Sequence, residues 1–514
     1  MSAASPIERQ DAAALPLVAS VGSRPVAVAM AVVAFVTALR LTGTVDSDVA
    51  WQLWIAGRIH AGANLYRDII ETNPPLWFWM ALPVDRLAAI LHVRIETVLI
   101  ALIGAVSAVS LAATDRLTRH VAPHRRTVML SYAALSLMAM PWLHVGQREQ
   151  IALIGTVPYA ALVATRRERK PVPSALAALI GLGAALGFAL KHYFLIVPIL
   201  LELWLVVGGA RRWRPVRPET IAVASVGVAY AVAVLVLEPD FLTTIIPLLE
   251  VAYGDVGAPS LRYLFGPQAM IGLVTLALLA SQAKVLASKA PLAGALFIAA
   301  VGYAAAYFVQ LKGWTYHAIP FVGCASMAMA ALLAESSAPL RALRIAAPAL
   351  LSLPLFLAAD EARRSDLPSS DLLGAVAGLR PGDTVGFITT ETAIPWAITL
   401  QGQYRYASRY NGFWMMPAIA RSERTARPDP RLAQLGRSIV SETVADFTCT
   451  PPKRIIVWRS RDNGSESDVL PFFLRDPRFA ALLKHYRVRS RTTLETYELV
   501  SPLPASAGPC RSGI

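Results

Sequence analysis

The stretch PLWFWMALPVDRLAAIL, Pro75 to Leu91, decides how the rest of the chain is threaded. Its apolar residues would suit a membrane crossing, but Asp85 and Arg86 interrupt them. Counted as a span, it would also carry the loop RLTRHVAPHRR, from Arg116, to the outer side and reverse every later basic loop. It therefore reads as a helix lying in the outer interface, with Trp77 and Trp79 at headgroup depth and its leucines facing lipid or the bundle.

The surrounding composition sets the class. Of 514 residues, 55% are hydrophobic and only 16% charged, and the mean hydropathy is +0.50. The apolar residues come in blocks of about 15 to 20, enough to cross a hydrocarbon core of roughly 30 Å. This predicts a polytopic α-helical membrane protein. It excludes a secreted disulfide scaffold, a disordered tail protein and an outer-membrane barrel, whose strands would alternate apolar and polar residues. Eleven spans are expected, at about 25–42, 97–114, 128–143, 150–165, 173–190, 194–209, 219–237, 267–283, 290–308, 318–334 and 345–359.

Charge orients these spans. With a cytoplasmic N-terminus, RLTRHVAPHRR, RRERK from Arg166, RRWRPVR from Arg211, Lys284, Lys289, Arg341 and Arg344 all fall inside, while the opposite loops lean acidic. The net charge of +14 thus follows from topology and needs no nucleic acid. Residues 1–24 form a cytoplasmic segment with Glu8 and Asp11 beside its arginines and no small-residue cleavage site, so the first span is expected to be a retained anchor. The odd count puts the C-terminus outside. The expected division is 1–24, a transmembrane domain 25–359 with an outer loop 43–96, and a soluble domain 360–514.

In that last part the long apolar runs stop. DTVGFIT from Asp383, RIIVW from Arg454 and TYELV from Thr496 alternate with helical patterns near Asp371, at 432–447 and at 479–486. The alternation predicts a small α/β unit with parallel strands. Cys449 and Cys510 would meet an oxidising compartment on this topology and could pair. Cys324 lies in a span as a packing residue. No internal repeat, Walker or dinucleotide glycine motif, or zinc-spaced Cys/His cluster occurs.

The chemistry lies just after the first span, in TVDSDVAWQLWIAGRIHAGANLYRDIIETNPPLWFW from Thr44. Asp46 and Asp48 stand where the chain leaves the bilayer. Partial desolvation there would raise a carboxylate's pKa and suit it to take a proton from a hydroxyl. The bland alternative is a pair of solvated boundary charges, and their DxD spacing could also hold a divalent metal.

This loop resembles the first outer loop of the GT-C superfamily of membrane glycosyltransferases, especially the branch of protein O-mannosyltransferases and the lipid A aminoarabinose transferase. The resemblance rests on an acidic residue closing the first helix, an alanine-rich helix, Gly62, Tyr66, and the run Asn73, Pro74, Pro75, Leu76. Aligned on Ala56 and Gly62, Asp48 takes the family's catalytic position. Val49 follows where many members carry Glu, which leaves open Asp48 alone or an Asp46–Asp48 pair. Arg148 and Glu149 of GQREQ match an arginine and acid after the third span. Lys191, His192 and Tyr193, then KGWTYHAIP from Lys312 with Tyr316 and His317, match basic and aromatic positions further on. The resemblance covers about 340 residues of membrane region in short, degenerate motifs. The C-terminal domain matches only in position and rough size. The branch does not generally use a metal catalytically.

Moving a sugar from a lipid phosphate needs a base, cations for the departing phosphate and a groove for the tail. Asp48 is the candidate base. Arg148, Lys191, Arg262, Lys312 or His317 could hold phosphate, arginine by two-point contact. Apolar helix surface would take a polyprenyl chain, because nucleotide sugars are absent outside the cell. The expected function is an inverting transferase of a bacterial inner membrane, moving sugar from a polyprenyl-phosphate donor to an envelope lipid, polysaccharide or protein. Plainer readings stand beside it: Lys191 and Lys312 as snorkelling side chains, Arg148 and Glu149 as a surface pair, His192 and His317 as hydrogen-bonded interface residues. Trp51, Trp54, Trp77 and Trp79 read as belt anchors, and Glu202, inside a span, as a functional candidate. QGQYRYASRYNGFW, from Gln401, could stack on a polyanionic glycan or pack the domain onto the core. A secondary transporter or lipid flippase, or a noncatalytic subunit of a polysaccharide assembly machine, is the alternative function.

Overall fold

Proline opens helix after helix: Pro25, Pro123, Pro218, Pro267 and Pro291 each stand in a first turn, where the missing N–H costs nothing and the fixed φ suits the helix. The computed structural model describes residues 24–208, 213–253, 261–336, 341–365, 370–459, 468–491, 494–504 and 510. The expected N-terminal segment, apart from Arg24, and the basic residues Arg211 and Arg212 lie outside the described residues.

Every stretch expected to cross is helical: Pro25–Arg40, Ile95–Leu117, Pro123–Met138, Arg148–Arg167, Ser174–Ala189, Ile196–Val207, Pro218–Leu237, Pro267–Ala280, Pro291–Gln310, Thr315–Glu335 and Arg341–Ser365. Five are long and apolar enough to cross a membrane by themselves, namely 95–117, 218–237, 291–310, 315–335 and 343–363. Their burial sorts them. The apolar window of Thr315–Glu335 is 94% buried and forms the centre of the bundle, whereas that of Pro218–Leu237 is 6% buried and presents its valines and leucines outward.

Small residues bring two of these helices together backbone to backbone. A Cβ on Gly155 would lie 2.9 Å from the Gly183 carbonyl, and one on Gly187 2.8 Å from the Ala152 Cα. This is the close approach that glycine permits between membrane helices. It brings the first residue of Arg148–Arg167 close to the end of Ser174–Ala189, and so to Lys191.

The stretch 75–91 does form a helix, Leu76–Leu91, with Pro83 inside it. One flank is buried through Trp77, Phe78, Ala81, Val84 and Ala88, while Ile90 and Leu91 stay exposed. The tryptophans depart from expectation. Trp77 is 3% exposed and its indole N–H donates to the Gly146 carbonyl at 2.9 Å; that of Trp79 donates to Glu238 at 3.3 Å. An indole whose N–H has a protein acceptor gains more by burying its ring than by resting at a headgroup. Trp51 and Trp54 are likewise no belt anchors, being stacked on each other with centroids 4.9 Å apart.

The C-terminal part carries a five-stranded sheet: β1 (Thr384–Ile388), β2 (Arg405–Tyr406), β3 (Arg454–Trp458), β4 (Tyr486–Arg491) and β5 (Leu494–Leu499), in the order β2-β1-β3-β5-β4. β1 pairs parallel with β2 and β3, but β5 runs antiparallel to both β3 and β4. The expected all-parallel sheet is therefore corrected. β4 and β5 are two residues apart in sequence, too short for a parallel crossover. β4 escaped notice because it is an edge strand studded with arginines, in which only Tyr486 is buried. The disulfide Cys449–Cys510 ties the end of the helix Pro430–Cys449 to the chain's last stretch.

This sheet docks on the outer loop. Trp396, 2% exposed, sits with its ring centroid 4.9 Å from Trp51 and 5.4 Å from Trp54, and Tyr406 lies 4.9 Å from Trp396. The Ile70 N–H donates to the Arg409 carbonyl at 2.9 Å. Within QGQYRYASRYNGFW, Arg409 pairs with Asp446 at 2.6 Å and the Tyr410 hydroxyl donates to Glu442. Arg409 and Tyr410 thus anchor their side chains on the domain's own helix, while the Tyr406 ring and the Arg409 carbonyl meet the loop after the first span.

Candidate active site

The helix Ser47–His60 begins on Asp46, whose Oδ1 accepts the Val49 N–H at 2.9 Å as an N-cap. Its remaining capacity is taken by His144 Nδ1 at 2.9 Å and by the Gln147 amide, which donates at 3.0 and 3.2 Å. His144 is held between two acids, its Nε2 standing 3.4 Å from Glu361. Burial opposes charge on this imidazole, but its bonds to Asp46 and Glu361 outweigh that and hold its pKa up at about 10.

Two residues on, Asp48 points elsewhere. It is half-buried, lines a cavity of about 1080 Å³ and accepts a 3.0 Å hydrogen bond from the Tyr316 hydroxyl. Burial, then the nearby charge of Asp46, raises its pKa above the usual aspartate value against the pull of Arg148 and Tyr316. The two acids thus do different work and do not converge as a DxD metal pair: Asp46 spends its oxygens on protein donors. Among the described residues no three His, Cys, Asp or Glu side chains gather into a metal site.

Arg148 opens its helix at 4% exposure and lines the same cavity. Its Nε and Nη1 lack hydrogen-bond partners among the described residues. Burial penalises this guanidinium's charge, and the nearby charges of Glu149, Tyr316 and Asp48 outweigh that penalty. It is no surface pair with Glu149, which is wholly buried and accepts from Lys191 Nζ at 2.6 Å. Lys191 does not snorkel either. Its ammonium also reaches Gln310 at 3.2 Å and His317 Nε2 at 3.0 Å. Burial pulls its pKa down to about 8, against the stabilising charge of Glu149.

Tyr316, His317, His192 and Lys312 all line the cavity. His317 is 5% exposed, His192 is exposed beside Tyr193, and the Lys312 ammonium lies 4.5 Å from the Tyr253 ring centroid. Arg262 is not brought in: it is exposed on the short helix Leu261–Leu264 and does not line the cavity. Glu202 makes an ion pair with Arg217 and accepts from the Trp213 indole at 3.0 Å, a structural use outside the cavity.

Glu71 was not anticipated. Buried at 3%, it accepts from the Trp51 indole, from the Asn73 N–H at 2.7 Å and from the Asn73 amide at 2.6 Å. The Tyr66 hydroxyl donates to the Asn73 carbonyl at 2.6 Å, and Gly62 turns the chain at φ 94°. Gly62, Tyr66 and Asn73 therefore brace the loop that walls the cavity. The only available hint to Glu71 was an acid two residues before Asn73. Glu361, which holds His144, was not anticipated either; it lies just after the last expected span with no motif around it.

Away from the acids the cavity turns apolar, along Tyr230, Ala231, Val234 and Leu235 on one side and Leu242 and Ile246 on the other. Leu235 is 61% exposed and Leu242 40%, so this arm reaches the protein surface. The third wall, 390–392 with Asn411, Trp414 and Arg421, belongs to the C-terminal domain.

No family model and no curated protein matches this sequence. Among solved structures the chain is similar to the arabinofuranosyltransferase AftD from Mycobacteria, at 14% identity and a TM-score of 0.48, over 93% of this chain and 40% of that one. It is also similar to the archaeal oligosaccharyltransferase AglB from Archaeoglobus fulgidus, solved with an inhibitory peptide and a dolichol-phosphate, at 12% identity and a TM-score of 0.45, over 92% of this chain and 74% of that one. The chain thus spans less than half the length of AftD. At these scores the likeness carries no functional argument.

Proposed function

We propose that this chain is an inverting membrane glycosyltransferase that moves a sugar from a polyprenyl-phosphate donor to an envelope acceptor. The observation that carries the reading is the meeting, in one cavity, of the Asp48 carboxylate, the Arg148 guanidinium and an apolar arm reaching the surface. Asp48 takes the proton from the acceptor hydroxyl. The acceptor oxygen bonds to the anomeric carbon, the bond from that carbon to the phosphate oxygen breaks, and the phosphate leaves with the electron pair. Attack opposite the leaving group inverts the centre. Arg148 supplies the positive charge that receives the phosphate, and Lys191 adds positive field beside it. The tail lies along Val234, Leu235, Leu242 and Ile246.

The distribution of basic loops supports a site on the outer side, the resemblance of the first loop supports a bacterial inner membrane, and the Cys449–Cys510 disulfide is in keeping with an oxidising compartment. Eleven crossings and a periplasmic sheet domain complete the proposed topology. The test is purified Asp48→Asn protein given radiolabelled sugar on synthetic polyprenyl phosphates. Turnover should fall about 10²–10⁴-fold, the usual worth of general base catalysis. Unchanged turnover removes Asp48 and the reading with it.

A further inference from the structure

The wall of the cavity contributed by the C-terminal domain is used by neither base nor phosphate. It consists of Thr390, Glu391 and Thr392 after β1, and Asn411, Trp414 and Arg421 from the chain that follows β2. The Trp414 ring is half-buried and meets the Tyr253 ring edge-on at 5.6 Å. Tyr253 lines the same cavity as Asp48 and Arg148. An aromatic path therefore runs from the domain wall toward the acid. Asn411 spends its carbonyl oxygen on the Trp396 indole at 2.5 Å, which leaves its amide N–H groups as donors. Glu391 is exposed, its carboxylate making no hydrogen bond or ion pair among the described residues.

We infer that this wall is the acceptor subsite and that the acceptor is a carbohydrate chain, an inference that rests on the proposed transferase reading. A pyranose or furanose ring has an apolar C–H face and a rim of hydroxyls. Flat rings such as Trp414 cover the first, while a carboxylate acceptor and amide donors such as Glu391 and Asn411 take the second. A peptide has a different requirement, which is paired backbone groups along its length. The wall does not supply them as a strand edge: β1, which leads into 390–392, is already hydrogen-bonded on both sides by β2 and β3. The terminal sugar stacks on Trp414, Glu391 accepts its hydroxyls, and the reacting hydroxyl extends past Tyr253 to Asp48.

The full chain in nanodiscs is titrated calorimetrically with soluble gluco-, manno-, galacto- and arabino-oligosaccharides, and with Ser/Thr-containing heptapeptides as the competing class. At least one oligosaccharide series should bind. Trp414→Ala should weaken it about tenfold, the worth of roughly 1.4 kcal/mol of ring contact, with Trp414→Phe recovering most of the loss. Glu391→Gln should weaken it about threefold to tenfold. In turnover assays the same variants should raise the acceptor KM by matching factors and leave the donor KM within about twofold. Binding of peptides alone, no binding of any oligosaccharide at millimolar concentration, or equal affinity in wild type and both substitutions overturns the inference. Those outcomes leave the donor chemistry standing, whereas turnover that survives Asp48→Asn removes the reading beneath it.

Discussion

The Tyr316 hydroxyl donates to Asp48 Oδ2 at 3.0 Å, across 268 positions of sequence, joining the outer loop to the helix at the centre of the bundle. Because a hydrogen bond to the charged form favours ionisation, this contact partly offsets the burial that raises the Asp48 pKa. A base works only when ionised, so kcat/KM should rise with pH through an inflection above the usual aspartate value near 4. Tyr316→Phe should move that inflection higher and lower the rate most at acid pH. A pH profile identical in the two proteins would show that Asp48 does not set the limb.

His144 makes a different statement about pH. Its folded pKa of about 10 lies above the ordinary 6.5, so its contribution to stability is complete below about 6.5 and fades as pH rises toward 10. Thermal unfolding in detergent should show wild type losing stability across that window relative to its value at pH 6, and His144→Gln losing much less. The substitution should also loosen Asp46, the cap on which Asp48's helix starts.

Lys191 and Glu149 are expected to behave as a unit. Replacing Lys191 by Met leaves Glu149 buried and uncompensated, at a cost of about 3–5 kcal/mol. Adding Glu149→Gln should restore most of that. A double-mutant cycle of unfolding midpoints in one detergent measures the coupling, and simple additivity would contradict the geometry.

Trp396→Ala removes the ring that seats the sheet domain against Trp51 and Trp54. Large-to-small changes at a buried aromatic cost about 3–5 kcal/mol. Hydrogen exchange should quicken in 393–414 and in the loop 61–75 together, since Ile70 and Arg409 share a backbone hydrogen bond.

Reduction of Cys449–Cys510 opens a loop with a sequence separation of 61. Cys449→Ser or a reductant should lower domain stability by about 2–4 kcal/mol, read as faster proteolysis C-terminal to residue 449, with the membrane helices unaffected.

Much of this arrangement was legible from the chain alone, for reasons specific to each part. The helices were visible because uninterrupted apolar blocks leave the backbone no partner but itself in a bilayer. Asp48, Arg148, Lys191 and His317 could be picked out because charge beside a span end is conspicuous. What could not be read was which charge faces which. Arg148 and Glu149 are neighbours in sequence yet part company, one into the cavity and one to Lys191, because adjacent residues on a helix point about 100° apart. Arg262 looked equivalent to Lys312 but stands on a separate short helix, exposed. Trp77 and Trp51 were misjudged because an aromatic belt and an aromatic core have the same composition; only the acceptors at Gly146 and Glu71 tell them apart. The antiparallel direction of β5 was hidden because β4, the strand that turns the chain into it, is an arginine-rich edge with no apolar run.

On the proposed topology, the apolar arm along Val234 and Leu242 and the wall around Trp414 leave the same chamber by different doors, one toward oil and one toward water. Two reactants that arrive through separate media need not queue behind one another. Steady-state kinetics should then show random order of addition, with the spent lipid competing only against fresh lipid and the extended product only against its precursor.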